Sequence, residues 1–158
     1  DLFAQLDGMV SSRTMIRMGV CVDTCHAFVA GYELRTEEGF DATWRALRGG
    51  VGIRRIRALH FNDTQQELGS RRDRHRRVGD GRLGSYPFWR LLRESTLQNV
   101  PAVLETPPLH GNRAFREQLQ HLRRLARRVR RVHCRWGQVL LEAQRPDGRL
   151  RRRRERGL

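Results

Sequence analysis

The sequence contains no lysine at all, so its 32 basic residues are all arginine. A chain that never uses lysine is not choosing arginine site by site for its geometry, and arginine counts alone therefore locate no site. Cysteine is scarce. Cys21, Cys25 and Cys134 are an odd number without C-x-x-C spacing, which argues against a disulfide framework or a cysteine zinc site and leaves core thiols as the expectation. No apolar run approaches the roughly 18 residues needed to span a bilayer, and nothing near the start resembles a secretory signal. The sequence opens on Asp1, without a start methionine. A soluble, cytoplasmic protein with no membrane partner is expected.

What is present in excess is positive charge, +15 over 158 residues, and it is unevenly placed. From Arg127 onward twelve arginines stand against Glu142, Asp147 and Glu155, so this stretch holds nine of the fifteen net charges. An arginine-rich surface favours polyanions such as nucleic acid, through phosphate contacts and counterion release. It is equally what a solvated, disordered tail looks like. The expected organisation is one folded domain over residues 1–126 and an arginine-rich, disordered tail over 127–158.

Helical spacing of Leu2, Phe3, Leu6, Met9 and Val10 predicts an amphipathic helix over Asp1 to Ser12. Met18 to Val22 is too short for a helix and lacks polar alternation, as expected of a strand buried on both faces. Thr36 can cap a second helix, with Glu37 and Glu38 in its first turn and Phe40, Trp44 and Leu47 on one face; Gly49-Gly50 ends it. Ile56 to Phe61 reads as a second strand, Ser85 to Leu97 as a third helix with Pro87 near its start, and Ala102 to Leu104 as a third strand. Asn112 can cap a fourth helix, along which Phe115, Leu119, Leu122, Leu125 and Val129 repeat. This alternation predicts an α/β fold with parallel strands and right-handed crossovers.

The strand ends carry the chemistry. Asp23, His60 and Glu105, each able to hold a metal, close the three strands, and in a parallel α/β barrel such ends converge on one site. Between Ala58 and Gly84 runs a long glycine-bearing stretch, ALHFNDTQQELGSRRDRHRRVGDGRLG, which brings Asp73 and His75 back over His60. Connections of that length are usually functional. A D-x-H pair in an extended loop can point both side chains at one ion, and mixed imidazole and carboxylate ligands suit zinc and similar metals. Cys25 and Cys21 are read as core packing rather than ligands. Asn62 and Asp63 are open between bridging ligands or phosphate and plain turn chemistry, with the turn sufficient. Gly79 and Gly81, which could let backbone approach DNA, read as a plain turn, and His110, His121 and His133, which lack partners in sequence, as surface residues.

The motifs VCVDTCHAFVAGY, ALHFND, LGSRRDRH with VGDG, and VLETP resemble the carboxyl-terminal half of endonuclease IV, over about Asp1 to Ala126. The resemblance implies a partial TIM (β/α)8 barrel of the xylose-isomerase-like superfamily, comprising about the last three βα units. It implies a trinuclear zinc centre that hydrolyses the backbone of double-stranded DNA on the 5′ side of an abasic site, in base excision repair. Carried over residue by residue, His26, Asp73 and His75 would hold one zinc, and Asp23, His60 and Glu105 a second. Glu105 could also position or deprotonate the nucleophile. Arg71, Arg72, Arg74, Arg76 and Arg77, which bracket the D-x-H pair, could contact phosphates.

Three ligands that the family uses, a bridging glutamate and two histidines, have no counterpart in this sequence. Nor do the first five strands and the loops that probe the minor groove. The 158 residues fall short of the roughly 250 of a complete barrel, so the expectation is a fragment, inactive alone, that a matching amino-terminal half could complete. The alternatives are a noncatalytic nucleic-acid-binding remnant and a metal-dependent sugar isomerase. The D-x-H motif in the long loop favours the nuclease.

Overall fold

The computed structural model of the protein describes residues 18–106 and 112–127. The expected helix over Asp1 to Ser12, the arginine-rich tail beyond Arg127, His110, His133, Cys134, Val129 and the capping side chain of Asn112 lie outside the described residues.

The expected α/β fold is found. In chain order the elements are β1 (Val20–Asp23), α1 (Thr24–Val29), α2 (Glu37–Gly50), β2 (Ile56–His60), β3 (Asp63–Thr64), β4 (His75–Arg76), α3 (Tyr86–Arg93), β5 (Ala102–Val103) and α4 (Asn112–Arg127). Strands β1, β2 and β5 form a parallel sheet in that order, with β2 central. Register puts Asp23 opposite His60 and His60 opposite Val103, so the three strand ends lie level. That levelling, rather than any one residue, is what allows ligands from distant parts of the sequence to meet.

The core forms where the sheet meets the helices. Phe28, Leu59, Phe61, Phe88, Leu91, Leu92, Leu97 and Leu125 are buried together. Phe61 meets Phe88 edge-on at 5.5 Å between ring centroids, which ties the end of β2 to α3. On α2, Phe40 stacks on Trp44 and meets Tyr86 of α3 edge-on. Thr36 caps α2 as its sequence implies, accepting from the Gly39 N–H at 3.1 Å.

Three expectations about the elements need correcting. The third helix stops at Arg93, because Glu94 adopts an extended ψ of 110°. A separate 3-10 turn over Ser95–Leu97 then delivers Leu97 into the core, where it is 1% exposed. The first strand is not buried on both faces: Val22 packs against the core whereas Cys21 is exposed. Cys25, by contrast, is fully buried. Finally, the long connection after β2 is partly ordered as a second, antiparallel sheet, β3 with β4. Two-residue strands leave no periodicity to read.

Between α1 and α2, Glu33 receives hydrogen bonds from the Arg35 guanidinium and from the backbone N–H groups of Leu34 and Arg35. The Arg35 hydrogen bond, first among these, holds its carboxyl at about 2. A depressed folded-state pKa contributes stability that is present above the unfolded value of about 4.3 and is lost as pH falls through about 2. The pair is partly solvated, so the contribution should stay under about 1 kcal/mol. Glu33→Gln is accordingly expected to flatten the urea midpoint between pH 5 and 2 slightly, and an unaltered pH profile would contradict this.

Candidate metal centre

Asp23 is the last residue of β1 and at the same time the N-cap of α1, where its Oδ1 accepts from the His26 N–H at 3.0 Å. A buried carboxylate, 8% exposed, is thereby fixed at a helix N-terminus that favours negative charge. Its other oxygen, Oδ2, points along the strand ends. There it lies 3.4 Å from His60 Nδ1 and 4.0 Å from His75 Nε2. Glu105, two residues beyond β5, brings Oε2 within 2.8 Å of the same His60 nitrogen.

The antiparallel pairing of β3 with β4 sets His75 opposite Thr64 and so folds the loop back over the strand ends. Thr64 Oγ1 donates to the Arg74 carbonyl and reinforces that return. Asp73 then sits between two imidazoles, 3.1 Å from His26 Nε2 and 3.0 Å from His75 Nε2. All six ligand positions expected from sequence are thus brought together, in two groups: His26, Asp73 and His75, and Asp23, His60 and Glu105. Within each group one donor atom per residue lies within 4.8 Å of the others. A third such group, Asp23, Cys25 and His75, overlaps both, so the Cys25 thiol read as core packing also borders the centre.

These residues fit a divalent cation. His75 Nε2 is buried and faces the carboxylates of Asp73 and Asp23, yet it is aligned for a hydrogen bond to neither. Imidazole nitrogens and carboxylate oxygens gathered within reach of a common point are a donor set that zinc and similar cations accept. Electrostatics agree. Burial acts to lower the His26 pKa, but the Asp73 hydrogen bond and the charges of Asp23, Asp73 and Glu105 outweigh it and raise the group above its ordinary value. Burial likewise acts to raise Asp73, and the hydrogen bond from His26 with the charges of His75 and His26 reverses this and lowers it. The Cys25 thiol is pushed up, chiefly by burial.

Around the ligands the structure decides some open readings and corrects others. Asn62, left open between bridging ligands and turn chemistry, is fully buried and hydrogen-bonds both Asp23 and Glu105, as the bridging alternative has it. Asp63 is also fully buried, and accepts from the backbone N–H groups of Thr64, Gly79, Gly81 and Leu83. Gly79 and Gly81 do form a turn, wrapped on that carboxylate. His121 is half-buried with its Nε2 2.9 Å from Ser85 Oγ, not a partnerless surface residue. Of the five arginines beside the D-x-H pair, Arg71, Arg72, Arg74 and Arg76 are exposed, whereas Arg77 is engaged with Glu117 and Asp80. An open cleft of about 340 Å³ lined by Gln66, Arg72, Asp73 and Arg74 adjoins the first ligand group. No sequence signal decides between the two readings of Asn62 and Asp63, since, the adjacent Thr64 N–H apart, their side-chain partners lie 16 to 43 residues away.

The family of xylose isomerase-like TIM barrels matches residues 3–125. Among curated proteins, the "Probable endonuclease 4" of Nitratidesulfovibrio vulgaris Hildenborough is 45% identical over 117 residues, covering 74% of this chain and 42% of the relative. That of strain DP4 is 45% identical over 118 residues, with 75% and 42% covered. The chain thus spans less than half the length of these relatives. The crystal structure of endonuclease IV from Thermus thermophilus superposes with a TM-score of 0.62 at 32% identity, over 70% of this chain and 39% of that one. The structure of AsfvAP:AG gives a TM-score of 0.61 at 19% identity, over 78% of this chain and 44% of that one, and supports the fold alone.

Proposed function

Because this chain belongs to the xylose isomerase-like TIM-barrel family, we propose that its strand-end cluster serves a zinc-dependent apurinic/apyrimidinic endonuclease of base excision repair. The reaction is hydrolysis of the phosphodiester 5′ to an abasic site in double-stranded DNA. The observation that carries this reading is the convergence of six ligands, in two groups, at the level ends of β1, β2 and β5 and on the loop folded over them. Similarity to proteins named endonuclease 4 supports the nuclease over the sugar isomerase.

His26, Asp73 and His75 would hold one zinc, and Asp23, His60 and Glu105 another. Bound there, zinc would lower the pKa of water and offset the negative charge that develops on the phosphate oxygens. The chain's own residues do the rest. Glu105, with 40% of its side chain exposed, faces solvent and can take a proton from an attacking water. Arg71, Arg72, Arg74 and Arg76 offer guanidinium groups to backbone phosphates next to the cleft. Arg77, neutralised by Glu117, contributes less. Among the described residues no helix is long and apolar enough to cross a membrane.

The test is incision of a labelled abasic duplex by the 158-residue polypeptide with zinc, with a sugar-isomerisation assay in parallel. Alone, the polypeptide is expected not to incise at an appreciable rate, because the bridging glutamate and two histidines that complete the family's cluster have no counterpart in it. Adding the amino-terminal stretch of an endonuclease 4 relative in trans should raise the rate, and Glu105→Gln should remove it. Robust cleavage by the lone polypeptide, lost in Glu105→Gln, would contradict the need for the additional ligands. Isomerisation without incision would overturn the nuclease reading itself.

A further inference from the structure

Asn62 follows directly on β2 and Phe61, and it is 0% exposed. Its side chain makes three hydrogen bonds. Nδ2 donates to Asp23 Oδ2 at 2.8 Å and to Glu105 Oε2 at 3.2 Å, while Oδ1 accepts from the Glu105 backbone N–H at 3.0 Å. The direction of the amide is not arbitrary. A backbone N–H can only donate, so the atom facing it must be the oxygen, and the NH2 group must face the two carboxylates. The residue's own backbone is pinned as well: its N–H donates to Thr24 Oγ1 at 3.0 Å, and that hydroxyl donates to its carbonyl at 2.7 Å. Asn62 therefore bridges the ends of all three parallel strands at one depth.

We infer that Asn62 is a positioning residue for the Asp23, His60 and Glu105 group, fixing the two carboxylates in their ligating orientation before a cation arrives; this rests on the metal reading of the proposed function. Two like charges that approach the same imidazole repel each other, and without a donor between them they would splay apart. One NH2 group hydrogen-bonded to both oxygens offsets that repulsion. Asp23 is then held at both ends, Oδ1 by the α1 N-terminus and Oδ2 by Asn62. Glu105, which follows a strand of only two residues, depends on Asn62 for its backbone position as well as its side chain. Partners of ligands that act in this way typically command about 10- to 100-fold in metal affinity.

The experiment is a Co2+ titration of the full chain, read by visible absorption, in two backgrounds. In His75→Ala only the Asp23, His60 and Glu105 group is complete, and adding Asn62→Leu, which keeps the shape and removes every donor, is expected to weaken binding about 10- to 100-fold and to alter the absorption band. In His60→Ala combined with Cys25→Ala, which also breaks the Asp23, Cys25 and His75 group, only the His26, Asp73 and His75 group is complete, and the same substitution should change affinity less than about 2-fold, well below the range expected of a ligand partner. Equal weakening in both backgrounds would indicate general loosening of the fold and overturn the inference. Unchanged affinity in the first background would overturn it too. No Co2+ uptake by the unsubstituted chain would instead overturn the metal reading, and the inference with it.

A second measurement needs no substitution. The two Asn62 side-chain amide protons should exchange slowly with solvent in the chelated chain and shift when Cd2+ is added. Rapid, solvent-like exchange would contradict the clamp.

Discussion

Asp63→Ala should remove most of the chain's folding stability. Its carboxylate accepts from four backbone N–H groups, those of Thr64 at 2.7 Å, Gly79 at 3.1 Å, and Gly81 and Leu83 at 2.9 Å each. It is the hub on which the connection from β4 to α3 is wound. An orphaned buried donor costs about 1–3 kcal/mol; the Thr64 and Leu83 donors are buried and those of Gly79 and Gly81 half-buried, so the loss reaches a large share of a typical stability of about 5–15 kcal/mol. Gly81→Ala tests the same hub without replacing the aspartate. A methyl group there would have to occupy space held by Asp63 Oδ1 and the Thr64 carbonyl oxygen, and backbone cannot yield cheaply. Burial raises the Asp63 pKa despite the four donors. With a raised folded-state pKa, stability from this group is greatest below the unfolded value of about 3.9 and falls as pH rises through the folded one. Asp63 therefore holds its neutral-pH charge at some expense, and its contribution to the acid limb runs opposite to that of Glu33. Urea unfolding followed by circular dichroism in chelator checks both variants. A midpoint for Asp63→Ala equal to that of the unsubstituted chain would show that the loop finds other acceptors.

His75→Ala should abolish stoichiometric zinc retention at the first ligand group. His75 is the innermost of its three ligands, with 15% of its side chain exposed against more than half for both His26 and Asp73. The outer two can be replaced by water at modest expense, whereas loss of the inner imidazole leaves an exposed two-residue remnant. The fall in affinity should exceed the roughly 10- to 100-fold effect of a residue that only supports a ligand. Elemental analysis after dialysis against a weak chelator provides the measurement, with circular dichroism to establish that the variant is folded. His26→Ala should weaken retention less than His75→Ala. If the folded variant keeps its full zinc content, the ligand group is misassigned.

The two effects separate in a way that links fold to function. Asp63 acts on the loop as a whole, so its loss should lower both stability and cation uptake. His75 lies outside the apolar core cluster and should alter uptake more than stability. Asn62 stands between them, because it ties strand ends together and also orients ligands. Comparing urea midpoints with Co2+ affinities across the three positions would place each residue on one axis or both.

The local signals were sufficient for much of this. Glycine pairs, a threonine cap, acidic first-turn residues and apolar spacing located α2 and the amphipathic faces of α3 and α4, because those features act within a turn or two of chain. Side-chain chemistry at the strand ends identified Asp23, His60 and Glu105, since an aspartate, a histidine or a glutamate closing an apolar run has few reasons to be there; the D-x-H spacing in the long loop identified Asp73 and His75, and the motif resemblance added His26. Beyond that, sequence ran out where partners are remote. That Asp23, His60 and Glu105 stand level is a matter of register, and register is set by pairing between strands more than 30 residues apart. That Asn62 and Asp63, adjacent and alike as turn residues, face opposite duties is decided by the alternation of a strand end: one side chain meets two ligand carboxylates and the other meets four loop N–H groups. The exposure of Cys21 and the engagement of Arg77 by Glu117 were likewise invisible in the sequence, because each depends on what packs against the residue rather than on what it is. By itself the sequence determined which side chains can hold a cation and which segments alternate as strand and helix. Only the tertiary structure decided which of those side chains meet, because distances between groups far apart in the chain are fixed by strand register and by buried hydrogen bonds that no local pattern encodes.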